Sequence, residues 1–136
     1  MSSEGADATI AIERDLDIVT ARQRGRDLAA SIGFTRTDQT LIATAISEVA
    51  RNILAYAQRG EVVLRIIEDV GRRGILIEAR DRGPGIVDVE LALRDGYSTG
   101  NSLGLGLPGS RRMMDDLTVD TELGTGTTVT MRRWVR

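Results

Sequence analysis

The sequence has no histidine, no cysteine and no lysine among its 136 residues. Without histidine there is no Ser-His-Asp triad, no imidazole ligand for a metal and no phosphohistidine of its own. Without cysteine, disulfide staples and thiolate chemistry are excluded. All 18 basic residues are arginine, which rules out the phosphate-binding lysine of a P-loop and the strand lysine of eukaryotic-type kinases. Aromatic side chains make up 3% of the chain and the net charge is -2, so the sequence offers neither stacking platforms nor a basic footprint for nucleic acid. No apolar run approaches the ~20 residues of a membrane span, and the polar N-terminus lacks a signal-peptide layout. The expected location is the cytoplasm, with no membrane and no nucleic acid as partner.

The chain that remains has 41% apolar residues and no Pro- or Ser-rich break, which suits one compact domain over residues 9–136 behind a loose polar tail at 1–8. Weak alternation over 9–13 suggests a first strand. Ile18, Val19, Ala21, Leu28, Ala29 and Ile32 recur at helical spacing, with Gly33 as a stop and Arg22, Arg24 and Arg26 as the solvated face. A longer helix is expected from an N-cap at Thr37 to about Gln58, with Gly60 ending it and Ile42, Ile46, Val49 and Ile53 as its core stripe. Two apolar strands, 61–68 and 74–81, are joined by the short polar connection 69–73. A short helix is expected over 89–93, a glycine- and hydroxyl-rich loop over 96–107, and a helix from about Pro108 through Met114. The strands 117–122 and 127–133 close the chain as a second hairpin around Gly124 and Gly126, and Trp134 should pack against an edge of the core.

Four short stretches carry chemistry. Strand alternation puts Ile75, Ile77, Ala79 and Asp81 on one face, so a carboxylate ends a buried row. It needs donors that its apolar neighbours cannot supply, and an adenine amino group is one candidate. Gly83 and Gly85 after it leave room for a flat ligand. Alone, Asp81-Arg82-Gly83-Pro84-Gly85 is better read as a solvated aspartate in a Gly-Pro turn. On the second helix Glu48 and Asn52 lie four apart on one side with Ala45 and Ala55 above and below, forming an open polar notch or simply an exposed pair. The loop containing Gly104 and Gly106 feeds a helix start, where free N–H groups and the dipole suit phosphates; a floppy surface loop is the competing reading. Thr127 shares a face with Val129 and Met131 and sits at the mouth of that row much as Asp81 does.

In order, Glu48-Val49-Ala50-Arg51-Asn52, the segment beginning at Asp81, Leu103-Gly104-Leu105-Gly106-Leu107 and Gly126-Thr127 resemble the N, G1, G2 and G3 boxes of the GHKL (Bergerat-fold) ATPase superfamily. Nearly the whole chain beyond the tail is similar to the RsbT-type switch kinases of bacterial stress-signalling modules. The similarity is plainest in Asp17-Ile18-Val19-Thr20-Ala21-Arg22-Gln23, Asp95-Gly96-Tyr97-Ser98-Thr99 and Arg111-Arg112-Met113-Met114-Asp115. The resemblance implies an α/β two-layer sandwich, a mixed sheet of about five strands with helices on one face, and transfer of phosphate from ATP to a protein serine or threonine. It gives Asn52 the Mg²⁺ that bridges the phosphates, Glu48 the role of general base, and Asp81 the adenine. Gly83 and Gly85 would shape the base pocket, Thr127 would support it, and Gly104 and Gly106 would lie near the phosphates. With lysine absent, a cation at the γ-phosphate has to be arginine, with Arg51, Arg111 and Arg112 as candidates. The implied substrates are STAS-domain proteins, and the released kinase would bind and activate a PP2C-type phosphatase. The alternative within the fold is an anti-sigma factor that sequesters a sigma subunit and phosphorylates its antagonist.

Overall fold

The structure, a computed structural model, describes residues 6–83 and 107–136. Over these the chain runs β1 (Ala8–Ile12), α1 (Asp15–Ser31), α2 (Arg36–Ala57), β2 (Gly60–Asp69) and β3 (Arg72–Asp81), then α3 (Leu107–Met113), β4 (Asp116–Glu122) and β5 (Gly126–Trp134). The strands form one sheet in the order β1-β2-β3-β5-β4. Every pairing is antiparallel, so the two-layer sandwich stands while the expected mixed sheet is corrected. Both hairpins, β2–β3 and β4–β5, join strands that are neighbours in the sheet, and their two- and three-residue connections only allow antiparallel pairing.

Period-two alternation decides the layers. Ile10, Val62, Ala79 and Val129 stand in one cross-strand row, and Leu64, Ile77 and Met131 in the next. All seven are buried in the cluster that also takes Ile42, Ile46, Val49 and Ile53 of α2. The expected α2 stripe is therefore the core stripe. The opposite face of the sheet carries ion pairs instead, with Glu78 bridging Arg65 at 3.1 Å and Arg80 at 3.0 Å. Trp134 is on that face rather than against the core. It lies over Gly74, where an added Cβ would come within 2.8 Å of the indole, and the Arg72 guanidinium stacks 3.9 Å above its ring.

Several boundaries move for identifiable reasons. Asp7 and Ala8, expected in the tail, belong to the sheet edge: the Asp7 N–H donates to the Leu64 carbonyl (2.8 Å), and the Ile66 N–H donates to the Asp7 carboxylate (2.7 Å). The first helix starts at Asp15 because Asp17, in its first turn, accepts from the Glu13 and Arg14 N–H groups at 2.9 and 3.0 Å. Those backbone bonds, the Glu13 one foremost, hold the Asp17 carboxyl below its usual range. The cap of α2 is Thr35, not Thr37, its hydroxyl accepting from the Asp38 N–H at 3.1 Å. Val19 is 45% exposed rather than part of the core face. Arg26 is not a solvated arginine, since it donates to the Thr40 hydroxyl on α2 at 2.7 Å. Among the described residues no helix is long and apolar enough to cross a membrane.

One arginine joins three elements. Arg133 of β5 donates to the carbonyl of Met113 at the end of α3 (2.6 Å) and to the Asp38 carboxylate at the start of α2 (2.8 Å). Both partners in the Arg133–Asp38 pair are largely covered. Removing one member leaves the other buried without its counter-charge, so Arg133→Ala is expected to lower unfolding free energy by about 3 kcal/mol, read from urea melts.

Candidate functional site

Register assembles the site before any side chain is considered. Asp81 pairs with Gly60 on one side and Thr127 on the other, and Thr127 pairs in turn with Thr121. A row Gly60–Asp81–Thr127–Thr121 thus crosses β2, β3, β5 and β4 at the end of the helix-covered face, just beyond the row of Val62, Ala79 and Val129. Asp81 Oδ1 accepts from the Gly83 N–H at 2.8 Å and from the Thr127 N–H at 3.3 Å. Among the described residues both of its hydrogen bonds go to Oδ1. One oxygen is held by backbone; Oδ2 is left with acceptor capacity at a cavity wall.

Two glycines make the close approaches possible. Gly126 has φ +144°, and an added Cβ would be forced against the Asp81 carbonyl and within 2.8 Å of Arg82 Cα. At Gly83 a Cβ would meet Ala57 Cβ at 2.7 Å and the Tyr56 carbonyl at 3.1 Å. The segment leaving β3 is therefore pressed onto the last turn of α2. Tyr56, Asn52 and Glu48 follow one another along that helix at four-residue steps, each step advancing about 6 Å. Both Glu48 and Asn52 are half-buried. Ala45 is fully buried while Ala55 is exposed, so only one of the two alanines belongs to the core. The Glu48 carboxylate accepts from Arg51 at 3.0 Å, a pair exposed enough to be worth less than about 1 kcal/mol and easily opened.

A cavity of about 860 Å³ opens at this sheet end, lined by Ala57, Gly60, Asp81, Gly126 and Thr127 among others. Its charged lining sets Glu13, Glu61, Asp81, Asp120 and Glu122 against Arg59, Arg80 and Arg82. Acid outweighs base there, which suits an uncharged base rather than a polyphosphate. The cavity ends at Ala57 on the α2 side and includes neither Glu48 nor Asn52. The sequence-identified residues thus form two groups: Asp81, Gly83 and Thr127 together at the sheet end, and Glu48 with Asn52 one to two turns further along α2. Gly85, Gly104 and Gly106, with the expected short helix and the glycine-rich loop, lie outside the described residues. Arg51 is committed to Glu48, while Arg111 and Arg112 are exposed on α3. Among the described residues no group of three or more acidic side chains is arranged to hold a metal. A hard cation would have to arrive on phosphate oxygens, and a single amide such as Asn52 fits that ligand chemistry.

Sequence reasoning did not single out Thr121. Its hydroxyl lies 2.9 Å from that of Thr127 and donates to the Gly126 carbonyl at 3.3 Å. Counting back from the Gly124 turn would have paired it with Thr127, so the signal was present in the hairpin.

A family model described as a histidine kinase-like ATPase domain matches residues 13–133. The serine/threonine-protein kinase RsbT of Bacillus subtilis is 44% identical over 127 residues, 93% of this chain and 96% of that protein. This chain belongs to the histidine kinase-like ATPase family, as an RsbT-type serine/threonine kinase. An anti-sigma F factor from Caldanaerobacter subterraneus is also similar to this ATPase-family kinase, 31% identical over 111 residues and covering 79% of this chain and 78% of the relative. The catalytic domain of the histidine kinase ThkA superposes with a TM-score of 0.54 at 12% identity, covering 93% of this chain and 95% of the other, which shows a shared fold. Family membership makes ATP the nucleotide of the kinase. Since Gly83 lets its loop seat on α2, Gly83→Ala should push that loop away. ATP affinity measured by calorimetry is expected to fall roughly tenfold, a change of about 1.4 kcal/mol.

Proposed function

We propose that residues 9–136 are one kinase domain that transfers the γ-phosphate of ATP to serine or threonine in STAS-domain proteins and, when released from them, binds and activates a PP2C-type phosphatase. The observation that carries this reading is the placement of Asp81: Oδ1 fixed by backbone and the residue lining a cavity that reaches the end of the helix bearing Asn52 and Glu48. Asp81 Oδ2 takes the adenine amino group, Thr127 supports the base, and Gly83 and Gly85 give it room. Asn52 supplies the protein ligand to Mg²⁺. A Mg²⁺ held by Asn52 would supply charge neutralisation at the phosphates. Glu48 accepts the proton of the attacking hydroxyl once Arg51 is displaced, and Gly104 and Gly106 lie along the phosphates. The remainder of the catalysis is positioning, as phosphoryl transfer requires little covalent help from protein.

A second reading is favoured by the similarity to an anti-sigma F factor: the chain would hold a sigma subunit and phosphorylate its antagonist. Both readings share the nucleotide site and differ in the captured partner. A pull-down from cell extract that retains a sigma factor and no phosphatase selects the second.

Two variants test the site. Asp81→Asn is expected to abolish ATP binding in calorimetry, and unchanged affinity overturns the adenine role. Glu48→Gln is expected to keep ATP affinity but lose ~10²- to 10⁴-fold in transfer of labelled phosphate to a STAS protein. A near wild-type rate removes Glu48 as the base.

A further inference from the structure

We propose that Arg133 is a positioning residue for phosphate transfer, setting where α2 holds Glu48 and Asn52 against the sheet; the proposal rests on the roles given to those two side chains. Thr127, Val129, Met131 and Arg133 alternate along β5 on the helix-covered face. The strand thus carries the nucleotide row at one end and the arginine at the other, about 20 Å apart. From there Arg133 spans two helices, with Nη1 donating to the Met113 carbonyl of α3 at 2.6 Å and Nη2 to the Asp38 carboxylate of α2 at 2.8 Å.

Stability alone is a poor account of this contact. Both charged side chains are largely covered, and Arg133 Nε is buried with no hydrogen-bond partner. An unmet buried donor is a cost that an apolar side chain at this position would not carry. Buried ion pairs replaced whole by well-packed apolar residues often leave stability unchanged or raise it. What an apolar pair does not reproduce is direction, because a guanidinium fork takes its partners only along fixed N–H axes. The pair therefore fixes the rotation and axial position of α2 at its first turn.

The effect reaches the site because a helix moves as one body. Glu48 and Asn52 lie ten and fourteen residues beyond Asp38, about 15 and 21 Å along α2. A slide or rotation at Asp38 is carried to both. Asp81 and Thr127 belong to β3 and β5 and stay where strand register puts them. Loosening α2 therefore separates the proposed metal and proton groups from the base subsite and leaves that subsite intact. Transfer is sensitive to such a shift, since about 1 Å of misplacement costs on the order of 10²-fold.

The test is Asp38→Leu combined with Arg133→Met in the full chain. It is read by thermal melting, by calorimetric titration with ATP in the absence of magnesium, and by transfer of labelled phosphate to a STAS protein. The expected result is a melting temperature near wild type, ATP affinity within about threefold, and kcat lower by about 10- to 100-fold. A merely structural contact would leave kcat of the folded protein at the wild-type value, and that result overturns the proposal. Should the double variant melt early, Asp38→Asn, which keeps the shape of the side chain, is measured below its own melting temperature, and the same split between kcat and affinity decides. Glu48→Gln separates the underlying reading. If it transfers phosphate like wild type, α2 does not carry the base and both claims fall. If it is impaired while the pair-free variant transfers at the wild-type rate, only the role of Arg133 falls.

Discussion

A carboxylate at the end of a core-facing strand row is costly unless its oxygens are met, and among the described residues Asp81 is met by backbone on one oxygen alone. The arrangement depends on it in several ways. The two donors come from the residue two positions on and from the strand next door, so the bonds hold only while β3 and β5 keep their register. A slip of one residue would turn Asp81 to the ion-pair face and bring Arg80 or Arg82 inward. Register along β3 is in turn enforced by Ile75, Ile77 and Ala79, which are all buried. Core packing and the proposed ligand recognition are therefore two ends of one strand.

The helices add the second half of the site. α2 places its apolar stripe on the sheet, and its polar stripe is then fixed by helical geometry alone, one side of the same cylinder. Gly83 against Tyr56 and Ala57 ties the two halves. Arg133 secures the other end of α2 through Asp38 and links it to α3, the helix that follows the glycine-rich segment of the sequence. A nucleotide bridging sheet end and helix would thus touch elements whose relative placement is already set by a buried stripe, a glycine contact and an arginine clamp.

Much of this was legible in the residues because the signals are periodic. Ile42, Ile46, Val49 and Ile53 could only be a helix stripe, and the alternation ending in Asp81 named its buried face. What was illegible depended on partners distant in sequence. Arg26 looks solvated until Thr40 of the neighbouring helix is seen beside it. Val19 fits the helical period yet sits near the end of a helix whose covered side is narrower than the pattern suggests. The choice between Thr35 and Thr37 as a cap is invisible to propensity, since both are threonine and only the Asp38 N–H geometry separates them. Both hairpins were legible from their short connections; the mixed sheet expected from the resemblance failed at β1–β2 and β3–β5, pairings between strands distant in sequence.

The β4 rim of the sheet carries a charge pattern with a consequence for association. On the β4 rim, beside the threonine pair, Asp120 and Glu122 are exposed, and a foreign strand laid along this edge of the described sheet would have to desolvate carboxylates. Exposed carboxylates at this margin thereby disfavour cross-β growth beside the row of Asp81, Thr127 and Thr121.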